Sequence, residues 1–373
     1  MSKINVRSPY YVSTGTVTNL TSCTLDLYIY TGTQVTDRPT DSTYTIESTA
    51  VLNKSVFEIS ELIRDYFTNY FDGDYASEIV FADYQLTEYI SGVAQTPQSI
   101  VLLKAFYGYG YFEDEANPQN DSGLLQSNNI VVKLDDAPAT IPVDTSTTNQ
   151  VTYELNGELV YTKAISSSLE SDEQIEYVTN GVNGADQFED RVLQDGGTFE
   201  GSSCLQEFVD DFTLFDFDTI YIDTDDGVIK LTVENIQECK FQPYKITFIN
   251  KFGALQDIWF FKRSNEVLST KSEKYKSNII ENNAYSISRH QQKTLTKNGS
   301  EKLTLNTGFY PEEYNKVFKE MQLSEDCWIE IESKTLPINL KSGGFNYKTV
   351  LNDKLINYTI EIDFAFDTIN NIR

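Results

Sequence analysis

Val151-Thr152-Tyr153-Glu154-Leu155 and Glu158-Leu159-Val160-Tyr161 flank Asn156-Gly157, and this stretch sets the reading of the chain. Asn-Gly adopts the positive φ angles of a type I′ turn, so the segment reads as a β-hairpin. The same grammar recurs on both sides. Ile220-Tyr221-Ile222 and Val228–Val233 bracket Asp223–Gly227, and Lys245–Ile249 meets Ile258–Phe261 through Lys251-Phe252-Gly253-Ala254. Upstream, Thr24–Tyr30 places Leu25, Leu27 and Ile29 on one face. Near the end Ile356, Tyr358, Ile360, Ile362, Phe364 and Phe366 alternate with Asn357, Thr359, Glu361, Asp363 and Ala365, the period of a strand with one buried face. Short strands at this spacing predict sandwiches.

Two helices interrupt the pattern. Ile59, Leu62, Ile63, Tyr66, Phe67 and Tyr70 form an apolar stripe at helical spacing, with Ser60 as a cap and Glu61 in the first turn. Pro311 at a first helical position, Glu312, Glu313, then Tyr314, Val317, Phe318 and Met321 give a second. Asp135–Pro142 runs into a Thr/Ser/Asn-rich stretch ending at Gln150, which reads as a linker or a domain-crossing strand. The expected organisation is an N-terminal β-sandwich with one helix over 1–135, a linker over 136–149, a second, acidic β-sandwich over 150–265 and a C-terminal α+β assembly domain over 266–373. The fold class is therefore mainly β and multi-domain, with immunoglobulin/fibronectin-like β-sandwiches before a C-terminal α+β domain.

Composition narrows the functions. At 373 residues the chain is long enough for two or three domains at about 150 residues each. It holds 24 Tyr and 22 Phe but one His, and 56 acidic against 29 basic residues, a net charge of −27. Such a chain repels phosphate backbones, which argues against specific nucleic-acid binding. The charge is uneven: residues 1–265 hold 15 basic and 41 acidic residues, residues 266–373 hold 14 and 15. The first residues lack the apolar core of a signal peptide, and no apolar run approaches the ~20 residues of a membrane span. Cys23, Cys204, Cys239 and Cys327 are widely spread, which disfavours a disulfide framework or a zinc site and fits a reducing cytoplasm.

Motifs for chemistry are sparse. His290 lies in a polar stretch without a G-x-S-x-G elbow and reads as a surface residue. Asp210/Asp211 and Asp216/Asp218 are carboxylate pairs of the sort a glycosidase uses, but so many acids produce neighbours by chance. Asp223-Thr224-Asp225-Asp226-Gly227 brings its third carboxylate one place early for a calcium loop and reads as a hairpin turn. Gly108-Tyr109-Gly110 lacks a third glycine and is lined by acids, so it reads as no phosphate loop. No catalytic residue, metal ligand or cofactor is expected. Gly108–Gly123 reads as a long exposed loop, and with 183–203 as a candidate for partner contacts. Tyr107, Tyr109 and Tyr111 beside it read first as core or interface packing, and are the residues that would serve if the chain makes partner or glycan contacts.

Four stretches carry a resemblance: Asn5–Tyr11 (NVRSPYY), Leu25–Gly32 (LDLYIYTG), Phe57–Tyr66 (FEISELIRDY) and Ile246–Phe261 (ITFINKFGALQDIWFF). They resemble virion structural proteins of tailed bacteriophages infecting Bacteroidota, including crAss-like phages. The resemblance implies a non-enzymatic tail, baseplate or head–tail ring/adaptor protein, made and assembled in the host cytoplasm and resident in the virion. Its implied partners are other virion proteins and copies of itself in a homo-oligomeric ring around the tail axis, without membrane insertion. The near-neutral last part would pack in the ring and the acidic parts would face outward or line a DNA passage. The alternative is a receptor-binding module that recognises host surface glycans.

Overall fold

The structure is a computed structural model that describes residues 2–76, 79–119, 122–135, 137–166, 172–183, 212–214, 216–341 and 355–369. It is mainly β, 51% strand against 6% helix, which settles the class. The chain forms two compact units. The first comprises Met1–Gln237, Thr247–Ile258 and Glu313–Glu325, and the second Glu238–Ile246, Trp259–Glu312 and Asp326–Arg373.

In the first unit one sheet runs Ser2–Asn5, Leu103–Phe106, Val80–Ile90, Leu20–Tyr30, Tyr44–Thr49, with Val93–Ala94 against Val80–Ile90. A second runs Glu158–Ala164, Thr148–Leu155, Thr219–Thr224, Gly227–Ile236, Ile130–Leu134. Each ends in one parallel pair, Ser2–Asn5 on Leu103–Phe106 and Gly227–Ile236 on Ile130–Leu134. The hairpin that opened the reading is present: Leu155 pairs Glu158, and Asn156 and Gly157 take φ of 54° and 80°. Thr140–Asp144 pairs Ile175–Thr179, and this ribbon shares a core with the second sheet. Ile141, Val143 and Val178 from the ribbon, with Val151, Tyr153, Ile220, Ile222 and Leu231 from the sheet, are fully buried in that cluster. Two β layers closed on one apolar core make a β-sandwich.

Several expectations are corrected. Within the stretch expected as a linker over 136–149, the chain instead runs as a buried strand; Pro142 is tolerated there because the ribbon is only two strands wide. The first helix, α1, is only Ser60–Arg64. A run of Tyr, Phe, Thr and Asn with weak helix propensity follows, and Asn69 has φ +44°. Ile59 and Ile63 are buried as expected, but Tyr70 is 75% exposed. Ser60 is not the cap: its N–H and hydroxyl both donate to the Glu58 carboxylate. Pro311 sits in a two-residue strand, Tyr310–Pro311, before a 3-10 turn and the second helix, α2 (Asn315–Leu323). That helix belongs to the first unit, where Tyr314 donates to the Ile130 carbonyl and accepts from Val132 N–H. The small helix near the C-terminus is therefore present but groups with the first unit, and the named elements lying wholly among the described residues of the second unit are strands. Five of these run Cys327–Ile331, Lys334–Leu340, Thr359–Phe364, Gln292–Asn306, Asn265–Lys276. The last alternating stretch breaks after Leu355–Ile356, where Tyr358 and Thr307 exchange hydrogen bonds, and resumes at Thr359–Phe364.

The turn after Tyr244–Ile249 joins the parts of the first unit. The buried Asn250 side chain donates to the Leu125 carbonyl at 2.7 Å and to Gln256 Oε1 at 3.1 Å. Its Oδ1 accepts from Phe252 and Ala254 N–H at 2.9 and 3.2 Å. Gly253 has φ +81°, and a Cβ there would stand 2.8 Å from Tyr107 N, so only glycine fits. Phe252 and Ala254 thereby enter the core with Tyr30, Phe81, Phe106, Leu125 and Ile175. Replacing Asn250 by Ala strands two acceptors and two donors in that interior. We expect a loss of about 3 kcal/mol in urea denaturation followed by far-UV circular dichroism. A loss below about 1 kcal/mol is the value for an ordinary single hydrogen bond and would contradict the joining role.

Candidate functional site

The three candidate tyrosines follow the strand Leu103–Phe106, whose ladder continues through Val6 N–H to the Phe106 carbonyl, Arg7 N–H to Gly108 and Tyr109 N–H to Lys251. Gly108 permits this approach, since a Cβ there would lie 2.6 Å from the Lys251 carbonyl oxygen. The continued ladder sets Arg7 beside the tyrosines. Its guanidinium is 4.8 Å from the Tyr109 ring centroid and 5.8 Å from that of Tyr107, while Arg64 is 5.9 Å from Tyr107. The Tyr107 hydroxyl donates to Glu325 Oε2 at 2.6 Å. Arg64 grips both Glu325 oxygens at 2.7 and 2.8 Å, and Arg7 donates to the Leu323 carbonyl at the end of α2. Tyr111 lies edge-on to Tyr109, with Lys319 Nζ 3.6 Å and Lys251 Nζ 5.5 Å from its ring centroid.

The tyrosines thus pack a cation–aromatic knot that fastens α2 within the first unit. Tyr107 and Tyr109 are 8% and 7% exposed, and Tyr111 is half-buried. Burial pushes the Tyr109 phenol well above its usual value, which keeps it neutral. The loop after them, expected to be exposed throughout, is tied down at its far end. Asn117 exchanges hydrogen bonds with the Tyr11 backbone, and Asn5 Nδ2 donates to the buried Pro118 carbonyl; Phe112 through Ala116 stay exposed. The sequence does not mark Arg7, Arg64, Lys251, Lys319 or Glu325 as partners of these tyrosines, because nothing local announces a contact across 43 to 218 positions. The second contact candidate, 183–203, lies almost wholly outside the described residues, as do Asp210 and Asp211.

Other motif residues fall in plain settings. His290 is exposed. Asp225 and Asp226 form the two-residue turn between Thr219–Thr224 and Gly227–Ile236. Among the described residues no three His, Cys, Asp or Glu side chains group as metal ligands, and no helix is long and apolar enough to cross a membrane.

The surface that stands out is in the second unit. Asn265–Lys276 and Gln292–Asn306 pair from Asn265↔Thr304 to Lys276↔Gln292, with a bulge after Glu273. Among the described residues only Lys302–Asn306 of this ribbon also pairs Thr359–Phe364, so outward from Ser269 and Ser300 the described ribbon has two strands. Asp367, Thr368 and Ile369 brace its base at Asn298 and Gly299. From 265 to 297 no side chain is buried. Val267, Leu268, Tyr275, Ile280, Tyr285, Ile287 and Leu295 are all exposed, Ile287 at 94%.

No protein-family model matches the chain, and no curated protein does. Among solved structures it is similar to Drosophila OTK, extracellular domains 3-5, at 9% identity over 81% of this chain and 87% of that one, with a TM-score of 0.22. A likeness of that size carries no argument.

The α2 segment offers a check on the knot through two carboxyls that titrate in opposite senses. Burial alone would raise Glu325, but the Tyr107 hydroxyl and the two guanidiniums outweigh it and hold the group below its ordinary 4.5. Its contribution is present above that value and is lost as pH falls through the lower folded value. Glu320, 1% exposed, is instead pushed up by burial despite the Ser127 hydroxyl and Lys251 N–H. Its charged form costs stability, increasingly as pH rises from 4.5 through the raised folded value. Glu325→Gln is therefore expected to lower the urea midpoint at neutral pH, with the gap closing in acid. Glu320→Gln is expected to raise it at neutral pH, with the advantage vanishing in acid. Equal losses at every pH would show simple packing roles.

Proposed function

We propose that the chain is a non-enzymatic structural subunit of a tailed-phage virion, a tail, baseplate or head–tail ring/adaptor protein. It works through protein–protein contacts, and its natural form is a homo-oligomeric ring. The observation that carries a contact role is the ribbon 265–306, whose outer residues bury nothing within their own chain while presenting seven large apolar side chains. Soluble monomers seldom leave such a set uncovered. The phage setting rests on the resemblance of the Asn5–Tyr11, Leu25–Gly32, Phe57–Tyr66 and Ile246–Phe261 stretches.

A glycan-binding role draws less support. It needs displayed aromatic faces, and Tyr107 and Tyr109 are packed under Arg7 while Lys319 covers the Tyr111 ring. A high negative charge suits a subunit that must stay in solution before assembly.

Antibodies raised against the recombinant chain, proven on native and denatured protein, test the role by immunogold microscopy on purified particles of the phage that encodes it. Gold clustered at the tail vertex is expected. Intact and disrupted particles that both stay unlabelled would overturn it.

A further inference from the structure

The ribbon differs from the rest of the chain in charge as well as in exposure. Residues 269–300 carry six basic and two acidic side chains, a net of +4, whereas residues 1–237 carry 10 basic and 39 acidic, a net of −29. Before the bulge the register sets Lys271 opposite Asn298 and Ser272 opposite Lys297; after it, Lys274 faces Thr294 and Tyr275 faces Lys293. Successive residues alternate between faces, so one face carries Val267, Lys271, Tyr275 and Lys293 and the other Leu268, Lys274, Lys276 and Lys297, with Leu295 unpaired at the bulge. At its tip Asn282 and Asn283 take positive φ, and Arg289 pairs with Glu281 at 2.8 Å. Ile280, Tyr285 and Ile287 stand exposed around them.

A two-stranded hairpin without a covering layer is marginal in water, and this one runs roughly 26 Å past the strand that braces it. Lysines along an exposed edge are an ordinary guard against unwanted pairing, and that accounts for the charge alone. A guard of that kind omits the apolar side chains found between these lysines. Cationic stems interleaved with apolar side chains describe a surface meant to lie on an acidic, partly apolar protein face.

We propose that the ribbon docks on the acidic surface of residues 1–237 of a second copy of this chain. It rests on the proposed role in taking the chain to be an assembling subunit. The complementary charges sit in one polypeptide, and the ribbon side chains from 265 to 297 are not buried. A contact between two different patches of identical subunits is head-to-tail, the kind that closes into rings. Duplex nucleic acid is the weaker occupant, because the −29 segment repels it and Ile287 and Ile280 gain nothing from a phosphate backbone.

The test uses the full chain in sedimentation velocity at about 50 mM and about 500 mM NaCl, which spans most of the change in screening. Two variants accompany it, Lys271→Glu/Lys274→Glu/Lys297→Glu for the charge and Ile280→Ser/Ile287→Ser for the apolar contacts. All five positions are exposed, so both variants should keep the parent's circular dichroism and urea midpoint. The parent is expected to self-associate, with dissociation constants rising on the order of tenfold or more in high salt and in the charge variant. The apolar variant should weaken association at both salt concentrations. A photo-crosslinker at position 287 should join peptides within 1–237 of an isotopically labelled second copy. A monomeric parent, association indifferent to both variants, or crosslinks that avoid 1–237 would overturn the proposal. So would binding to labelled duplex DNA that the charge variant abolishes while self-association is absent. Particle labelling separates the two readings. Labelled virions with a monomeric protein would sink the docking and leave the role. Ribbon-dependent association with unlabelled virions would do the reverse.

Discussion

Asn250 is where the first unit is closed. Its amide is satisfied on both ends inside the protein, by Leu125 and Gln256 on one side and by the N–H groups of its own turn on the other. The turn it shapes carries the Lys251 carbonyl to Tyr109 N–H and brings Leu255 N–H to the Tyr177 hydroxyl. Residues near 107, 125 and 177 thereby meet on a segment that appears in the chain only after residue 246. The helix segment Glu313–Glu325 is added later still. Contacts across such separations incur loop-closure entropy before they return any energy.

The same constraint explains an odd composition. A mainly β chain closed by distant segments has many places where a ring fills the gap and a polar group must still be met at its far end. Tyrosine does both. Tyr30 donates to Asp83, Tyr75 to Asp257 and Tyr107 to Glu325, each at 2.6 Å. Tyr310 both donates to the Trp259 carbonyl and accepts its N–H. Acceptors for those hydroxyls come in part from the abundant carboxylates, some of which serve inside the protein and not at its surface. The many tyrosines, which in the sequence alone leave sugar stacking open, have a structural explanation at these sites.

Legibility follows the range of the interaction that decides each feature. The hairpins at Asn156-Gly157 and Asp223–Gly227 are governed by residues within a few positions, and the turn chemistry shows in the letters. The buried faces of Thr24–Tyr30 and Thr359–Phe364 are visible as alternation for the same reason. Helix length failed because the stripe from Ile59 to Tyr70 reports only which residues are apolar. Tyr66 and Tyr70 are exposed and anchor no further turn. The linker reading of 136–149 failed because Pro138 and Pro142 are local signals, while burial of Ile141 and Val143 depends on a partner strand more than thirty residues on. The cation–aromatic knot was least legible. Its tyrosines were in view, but Arg7 and Glu325 are 318 positions apart and no periodicity links them.

If the chain assembles as proposed, its charge placement resolves a conflict that an acidic subunit faces. A segment carrying −29 keeps copies apart, which suppresses premature association and also opposes the final contact. Screening confines that repulsion to about 8 Å at physiological ionic strength. A ribbon reaching roughly 26 Å past its bracing strand, docked as proposed, would join two subunits across a distance greater than the screening length. In that arrangement the lysines would meet attraction where the bodies meet repulsion, and the apolar side chains beside them would hold what the charges gather. Under the proposed docking, solubility and adhesion become properties of different stretches of one chain, separated in sequence near residue 237, where the acidic excess ends.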